Sequence, residues 1–342
     1  MKQRLTKIML NRLILKTFLI IFICFGLEIN AGAQDAYFSQ FFMNPTYLNP
    51  AYTGSMKVPR ASLQYRNQWP AMGNAYINYF AAFDTYIPSI SSGAGLLVLN
   101  DVQGGGMYTE TSFKAMYSKE IILSREWTMY GSISAGAKLN SLNYNKLTFA
   151  DQLDPVYGNW LVSGETLPEN NTRLLPDFGA GILVFSSKYF AGIAADHLSE
   201  PDQSLYSGQS YPLKRKYTVH FEYSFPWYRP GHLRKLIKFT PNFVLQSQGK
   251  YQYLTYGVYG NRRGISVGVW NRLTNEKNTD VIVSAGFIGK QLKTAISYDI
   301  NINGVGLKSH GAVELTISYL LKAPGRKSIF PFYEIPGEWD IH

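Results

Sequence analysis

Five histidines, His197, His220, His232, His310 and His342, are the side chains best suited to metal or acid–base chemistry here, and they are scattered. None shows the His-Glu-x-x-His spacing that puts two imidazoles and a base on one helical face. His220, Glu222 and Ser224 share one face of an alternating segment, from which a nucleophile, a base and a carboxylate could be assembled. Polar residues at spacing two are also what any strand with a polar side shows, and that is the reading we adopt. Asp177-Phe178-Gly179 copies a kinase tripeptide, yet no glycine-rich loop, strand lysine or catalytic-loop Asp and Asn accompany it; Asp177 is expected to open a strand. Gly104-Gly105-Gly106 and Gly304-Val305-Gly306 lead into no helix, so a phosphate cradle is unsupported. Asp151, Asp154, Glu165, Glu169 and Asp177 make one stretch acidic without the spacing of an EF-hand, as a solvated loop would be. No catalytic residue, cofactor site or metal site is predicted.

The elements that carry these residues share one period. After residue 59 the chain repeats about ten residues of two-fold alternation followed by a turn signal. Val313, Leu315, Ile317, Tyr319 and Leu321 alternate with Glu314, Thr316, Ser318 and Leu320. Tyr217, Val219, Phe221, Tyr223 and Phe225 alternate with Thr218, His220, Glu222 and Ser224. Side chains on a strand point to opposite faces in turn, so each segment has one apolar and one polar or small face. Fourteen such strands are predicted between residues 60 and 321. The sixth is placed at 177–186, and the tenth, 250–260, carries Tyr on both faces.

Composition narrows the class. Of 342 residues only 16% are charged and 15% are aromatic, with 25 Tyr, 20 Phe and 30 Gly, which excludes a disordered chain. No run of 18 apolar residues follows residue 28, which excludes a helical membrane bundle. Residues 1–33 read as a signal peptide: Lys2, Arg4, Lys7, Arg12 and Lys16, then the apolar stretch from Phe18 to Leu27, then Ala31-Gly32-Ala33, with cleavage before Gln34. The only cysteine, Cys24, falls inside it, so disulfides and thiolate chemistry are excluded from the mature chain. The formal charge of +10 drops to +6 once that segment is removed. Its tight basic clusters, Lys214-Arg215-Lys216 and Arg262-Arg263, sit beside strand ends and read as turn or interfacial charges, so no nucleic-acid partner is expected.

A soluble sandwich buries the apolar face; an outer-membrane barrel turns it toward lipid. Connections after even-numbered strands are mostly short, whereas 141–176 and 198–213, after odd-numbered strands, are long. That asymmetry fits periplasmic turns and outward loops, and Tyr, Trp and Phe near strand ends fit two interfacial girdles. The fold class predicted is all-β: a transmembrane antiparallel β-barrel of about 14 strands, of outer-membrane type, over residues 59–321. An even strand count leaves 34–58 and the tail 322–342 facing the periplasm or folded back into the lumen.

The block from Gln34 to Pro45, with Tyr37-Phe38-Ser39-Gln40-Phe41-Phe42-Met43-Asn44, continues through Leu48-Asn49-Pro50-Ala51-Tyr52-Thr53-Gly54. It resembles the mature N-terminus of the PorP/SprF family of Bacteroidetes outer-membrane proteins. Arg66-Asn67-Gln68-Trp69, Pro176-Asp177-Phe178-Gly179-Ala180-Gly181, Asp196-His197-Leu198 and Ser297-Tyr298-Asp299 resemble that family in matching order. Ala36 stands where members often carry proline. The resemblance implies a barrel of the type IX secretion and gliding-motility apparatus, with no enzymatic activity.

Asn44-Pro45 and Asn49-Pro50 are turn formers. The aromatics around them are too apolar to hang free, so they must pack in the lumen or on a partner. Phe38, Phe41, Phe42, Tyr47, Phe332, Tyr333 and Trp339 are the candidate partner-binding residues, because aromatics without a core role mark interfaces. The expected partners are outer-membrane lipids, type IX secretion components and a secreted cargo protein; the alternative function is a passive or substrate-specific outer-membrane pore.

Overall fold

The computed structural model describes residues 35–321 apart from 73–75, 155–157, 160–162, 165–170, 206–209, 229–234, 276–278, 290 and 304–309. The expected signal peptide and C-terminal tail, with Phe332, Tyr333 and Trp339, lie outside the described residues.

Fourteen strands form the wall. They are β1 (Arg60–Gln68), β2 (Tyr76–Ile87), β3 (Ser92–Gln103), β4 (Tyr108–Ile122), β5 (Thr128–Leu142), β6 (Thr172–Phe185) and β7 (Tyr189–Asp196). There follow β8 (Lys216–Tyr223), β9 (Lys235–Gln248), β10 (Tyr251–Arg262), β11 (Ile265–Thr274), β12 (Thr279–Ile288), β13 (Leu292–Asn301) and β14 (Ala312–Leu320). Each pairs antiparallel with its neighbours in sequence, and the ring closes where β1 meets β14, from Arg60↔Leu320 to Gln68↔Ala312. Beyond Ser224 the chain of β8 runs on as Phe225–Tyr228, still paired with β9. Closure satisfies the backbone of every wall strand within the wall, as a lipid environment demands. Among the described residues no helix is long and apolar enough to cross a membrane.

Burial is inverted relative to a water-soluble protein. On β14, Val313, Leu315, Ile317 and Tyr319 are 36–44% exposed, while Glu314, Thr316 and Ser318 are 0% exposed. The same holds on β8, where Tyr217 and Val219 face outward and Thr218, His220 and Glu222 are buried. The apolar side of each strand is thus the outer surface. Stacked rings run around part of the short-turn end, from Trp127 to Tyr189, Tyr223 and Phe225. This is the aromatic girdle expected at a membrane interface.

Two differences from the sequence reading, and one feature it noted, have physical causes. β6 begins at Thr172 rather than 177, so Asp177 lies inside the strand and does not open it. Pro176 hid this start, but it sits where β6 pairs only with β5, since pairing with β7 begins at Ala180↔Ala195. β10 carries Tyr on both faces because Tyr259 points inward onto Phe42, their ring centroids 5.1 Å apart. Lys216 is not a turn charge: it is 6% exposed and points into the lumen.

Residues 35–59 run along the barrel interior. A single helical turn, Pro45–Leu48, and a 3-10 turn, Pro50–Tyr52, each start on proline after an asparagine, the placement in which a missing N–H costs nothing. Three buried apolar clusters, each combining this segment with inward wall side chains, take the place of a core. At the short-turn end the segment touches the wall backbone to backbone. Gly54 has φ +68°, and a Cβ placed on it would stand 2.5 Å from the Gly93 Cα; one placed on Gly93 would collide with the Thr53 carbonyl. Gly93→Ala is therefore expected to destabilise the assembled barrel by about 1–3 kcal/mol, the usual cost of overpacking. The midpoint of urea unfolding in detergent, compared with that of the parent, measures this.

Candidate functional site: a plugged lumen

The inward polar faces of the strands converge on residues 35–56, and four anchors hold that segment. The first is at the long-loop end. Asp35 accepts from Lys138 at 3.0 Å, Lys216 at 2.9 Å and His197 Nε2 at 2.6 Å, and its amide donates to Gln248 at 2.9 Å. Burial alone would raise the Asp35 carboxyl; His197, Lys138 and Lys216 outweigh it and hold that group well below the ordinary carboxylate range. The same burial would lower His197, but Asp35 and the hydrogen bonds to Asp177 and Asp35 hold it above the ordinary imidazole value.

The second anchor joins wall residues that each lie two positions inside the long-loop end of their strands. The Ser39 and Gln40 amides donate to the two oxygens of Glu314, at 2.8 and 2.7 Å. Arg66 reaches Ser39 Oγ, Glu314 and Asp299 at 2.8, 3.0 and 2.8 Å, and Arg272 reaches Asp299 and Ser39 Oγ at 3.0 and 2.8 Å. Both guanidinium groups lie over the Tyr37 ring, 4.9 and 4.4 Å from its centre. Just below, Phe42 stacks between Tyr259 and Trp270.

The third anchor is Asn49. Its Oδ1 accepts from the Ala51 amide at 2.9 Å, while Nδ2 donates to the carbonyls of Ile182 and Ile193, on adjacent strands, at 3.1 and 3.2 Å. Gly181 and Gly192 leave the room for it: a Cβ on either would overlap the Asn49 amide. The fourth is at the short-turn end, where Asp84 accepts from the Gly54 amide and from Arg60 Nε, both at 2.8 Å. Asn49→Ala removes a donor that two wall carbonyls share and leaves the Ala51 amide without its acceptor. A loss of about 1–3 kcal/mol for the orphaned amide should appear as an increased rate of maleimide labelling at a cysteine placed at Thr46.

Phe38, Phe41 and Phe42 are buried and Tyr47 nearly so, packed against Phe80, Trp270 and Tyr259 inside the barrel. They pack on the protein's own wall and offer no free surface in this state. Cavities of about 20, 10 and 10 Å³ flank the segment. Each has room for about one water molecule. His220 meets Asn49 and stacks on Tyr52, 5.4 Å between ring centres, so it is a contact of the plug. Among the described residues no group of three or more His, Cys, Asp or Glu is arranged to hold a metal.

The blocks singled out in the sequence each lend the plug a wall side chain: Arg66, Asp177 through His197, and Asp299. Lys138, Lys216, Arg272 and Glu314 were missed. Alternating charge on a polar face looks the same whether it meets water or a plug, and only the pairing of β1 with β14 brings Glu314 to Ser39.

A closed ring of 14 antiparallel strands, apolar outside and filled by its own N-terminal segment, defines an outer-membrane-type β-barrel with an internal plug. The profile of the type IX secretion system membrane protein PorP/SprF matches residues 30–319. The chain belongs to the PorP/SprF family. Among solved structures it is similar to the KdgM porin, at 8% identity over 76% of this chain and 99% of that one, with a TM-score of 0.35. A mutant porin of Rhodopseudomonas blastica matches at 6% identity over 77% and 99%, with a TM-score of 0.33. No curated relative matches the chain.

Proposed function

We propose that this protein is a sealed, non-enzymatic component of the type IX secretion apparatus in the outer membrane, supporting the export or surface attachment of secreted proteins such as gliding adhesins. The observation that carries the reading is the filled lumen in a chain of this family: with its plug in place the barrel has no room for a wide solute path, and what it offers is surface for binding. In this reading residues 1–33 are removed before Gln34, the short turns face the periplasm, and the connection between β5 and β6 faces outward. That connection and the tail 322–342, with Phe332, Tyr333 and Trp339, are the surfaces offered to cargo and to secretion components.

Comparing surface and secreted proteins between the parent strain and a clean deletion of the gene tests this. Loss of one or a few large surface proteins identifies a dedicated partner; loss of every type IX substrate identifies a core part of the machine. Unchanged secretion would overturn the proposal and return the pore reading to first place. Normal export from a chain lacking 322–342 that still assembles would remove the tail from it.

A further inference from the structure

The group of charges around Asp35 is arranged as a binding site whose ligand happens to be part of the same chain. His197 Nδ1 lies 2.8 Å from Asp177 and Nε2 lies 2.6 Å from Asp35. A neutral imidazole has one donor and one acceptor, and an ionised carboxylate only accepts. Both ring nitrogens must therefore carry hydrogen, and His197 is a cation held between two carboxylates. Its backbone has φ +57°, a setting residues other than glycine rarely take, and the ring is only 1% exposed.

The wall holds these cations without help from the plug. Asp177 and Asp196 each take a bond from Lys114 at 2.9 Å, Asp196 also faces Lys216 at 3.7 Å, and Glu110 takes Lys138 at 2.7 Å. Four cations, Lys114, Lys138, His197 and Lys216, thus face three wall carboxylates, leaving one positive charge. Asp101, paired in register with Glu110, is bonded to Asn78 and Gln103 instead. Two tyrosines also face this group: Tyr47, whose ring lies 4.8 Å from Lys216 Nζ and whose hydroxyl donates to the Ala36 carbonyl, and Tyr253, which lines a cavity with Asp35 and Lys216. Asp35 supplies the missing anion, and it lies ten residues before the first helical turn of the plug.

We propose that Lys138, His197 and Lys216 form a carboxylate-binding site in the lumen wall, which Asp35 occupies in cis and which an acidic side chain or chain terminus of another protein occupies when the plug's free end withdraws. The plug is then held by a contact that a carboxylate ligand can replace, at the long-loop end of the barrel. The sign of the pH dependence follows from the two partners. The His197 contribution is complete below the ordinary imidazole value and is lost as pH rises through its raised folded value. The Asp35 contribution is complete above the ordinary carboxylate value and is lost as pH falls through its depressed one. The contact is tightest between those two limits.

The test is chemical rescue in the full mature chain in detergent. Asp35→Ala, carrying Thr46→Cys as reporter, should label with maleimide about tenfold faster or more than Thr46→Cys alone, since the one surplus positive charge of the buried group loses its anion. Acetate should restore slow labelling saturably and raise the thermal midpoint; acetamide and chloride at equal concentration should do neither. Asp35→Asn keeps the side-chain volume and should behave like Asp35→Ala, and His197→Gln added to either should abolish rescue. If labelling is already slow in Asp35→Ala, a saturable rise in thermal midpoint with acetate, lost in His197→Gln, still supports the site. Acetate acting no better than acetamide or chloride on both readouts overturns it.

Discussion

In planar bilayers the intact protein is expected to carry no steady current, and removal of residues 35–56 should turn it into an ohmic pore. The expected rise in membrane current is about tenfold or more, because a ring of 14 strands leaves an interior wider than its own side chains fill. The reasoning rests on what the segment covers. Its removal exposes the rings of Trp270 and Tyr259 and the ion pairs of Arg66, Arg272 and Arg60, which lie on the inward face and can be hydrated where they stand. The closed backbone ladder does not pass through the plug, so the wall should survive its loss, though less stably. Retained heat-modifiable migration on gels, as folded barrels show, confirms a closed wall before any current is read. A current already present in the intact protein would mean that the plug leaves a path along the lumen, and the sealed-barrel reading would fall.

The wall was legible in the sequence because an inside-out barrel keeps the two-fold period of any half-buried strand. Val313 to Tyr319 declares a strand whichever side is wet, and loop lengths decide the side. The plug was legible only as a contradiction: Phe38, Phe41 and Phe42 are too apolar for an exposed arm and lie outside any alternating segment. Whether they pack on the wall or on a partner depends on contacts that sequence distance hides, since Ser39 binds a glutamate 275 residues away. Asn49 illustrates the remaining gap. Read locally, Asn49-Pro50 is a turn signal, and it does cap the 3-10 turn. Its second role, donating into the wall between β6 and β7, exists because Gly181 and Gly192 have no side chains there. Nothing in the local spacing announces that pairing. Lys216 misled for the opposite reason: next to Lys214 and Arg215 it looks like part of a surface cluster, but the strand starts at Lys216, which points inward, while the two residues before it lie outside the strand and are exposed.

Arg66→Met should be the most damaging single substitution on the plug–wall contact, at about 3–5 kcal/mol, the cost of removing one partner from a buried ion network. Arg66 is 1% exposed and bridges Asp299 and Glu314, both of which also bind the plug at Ser39. Methionine fills much of the volume, so the loss is one of charge: Asp299 keeps Arg272, whereas Glu314 is left with the Ser39 and Gln40 amides and Gln64. Arg66→Lys should recover little, because one terminal nitrogen on a shorter side chain lacks the planar fork by which one guanidinium nitrogen of Arg66 reaches Ser39 Oγ and Glu314 and the other reaches Asp299. Adding Glu314→Gln to Arg66→Met removes the uncompensated carboxylate, and the double variant should be less destabilised than the sum of the two single changes. The cycle is read from urea midpoints in detergent together with maleimide labelling at Thr46→Cys, which separates loss of the plug from loss of the wall. Two to nearly four orders of magnitude in labelling with a modest change in midpoint would place the energy in plug docking. A collapsed midpoint with labelling altered only in step would instead show that the wall cannot close without the plug, making the N-terminal segment a scaffold for β1 and β14 and not a removable stopper.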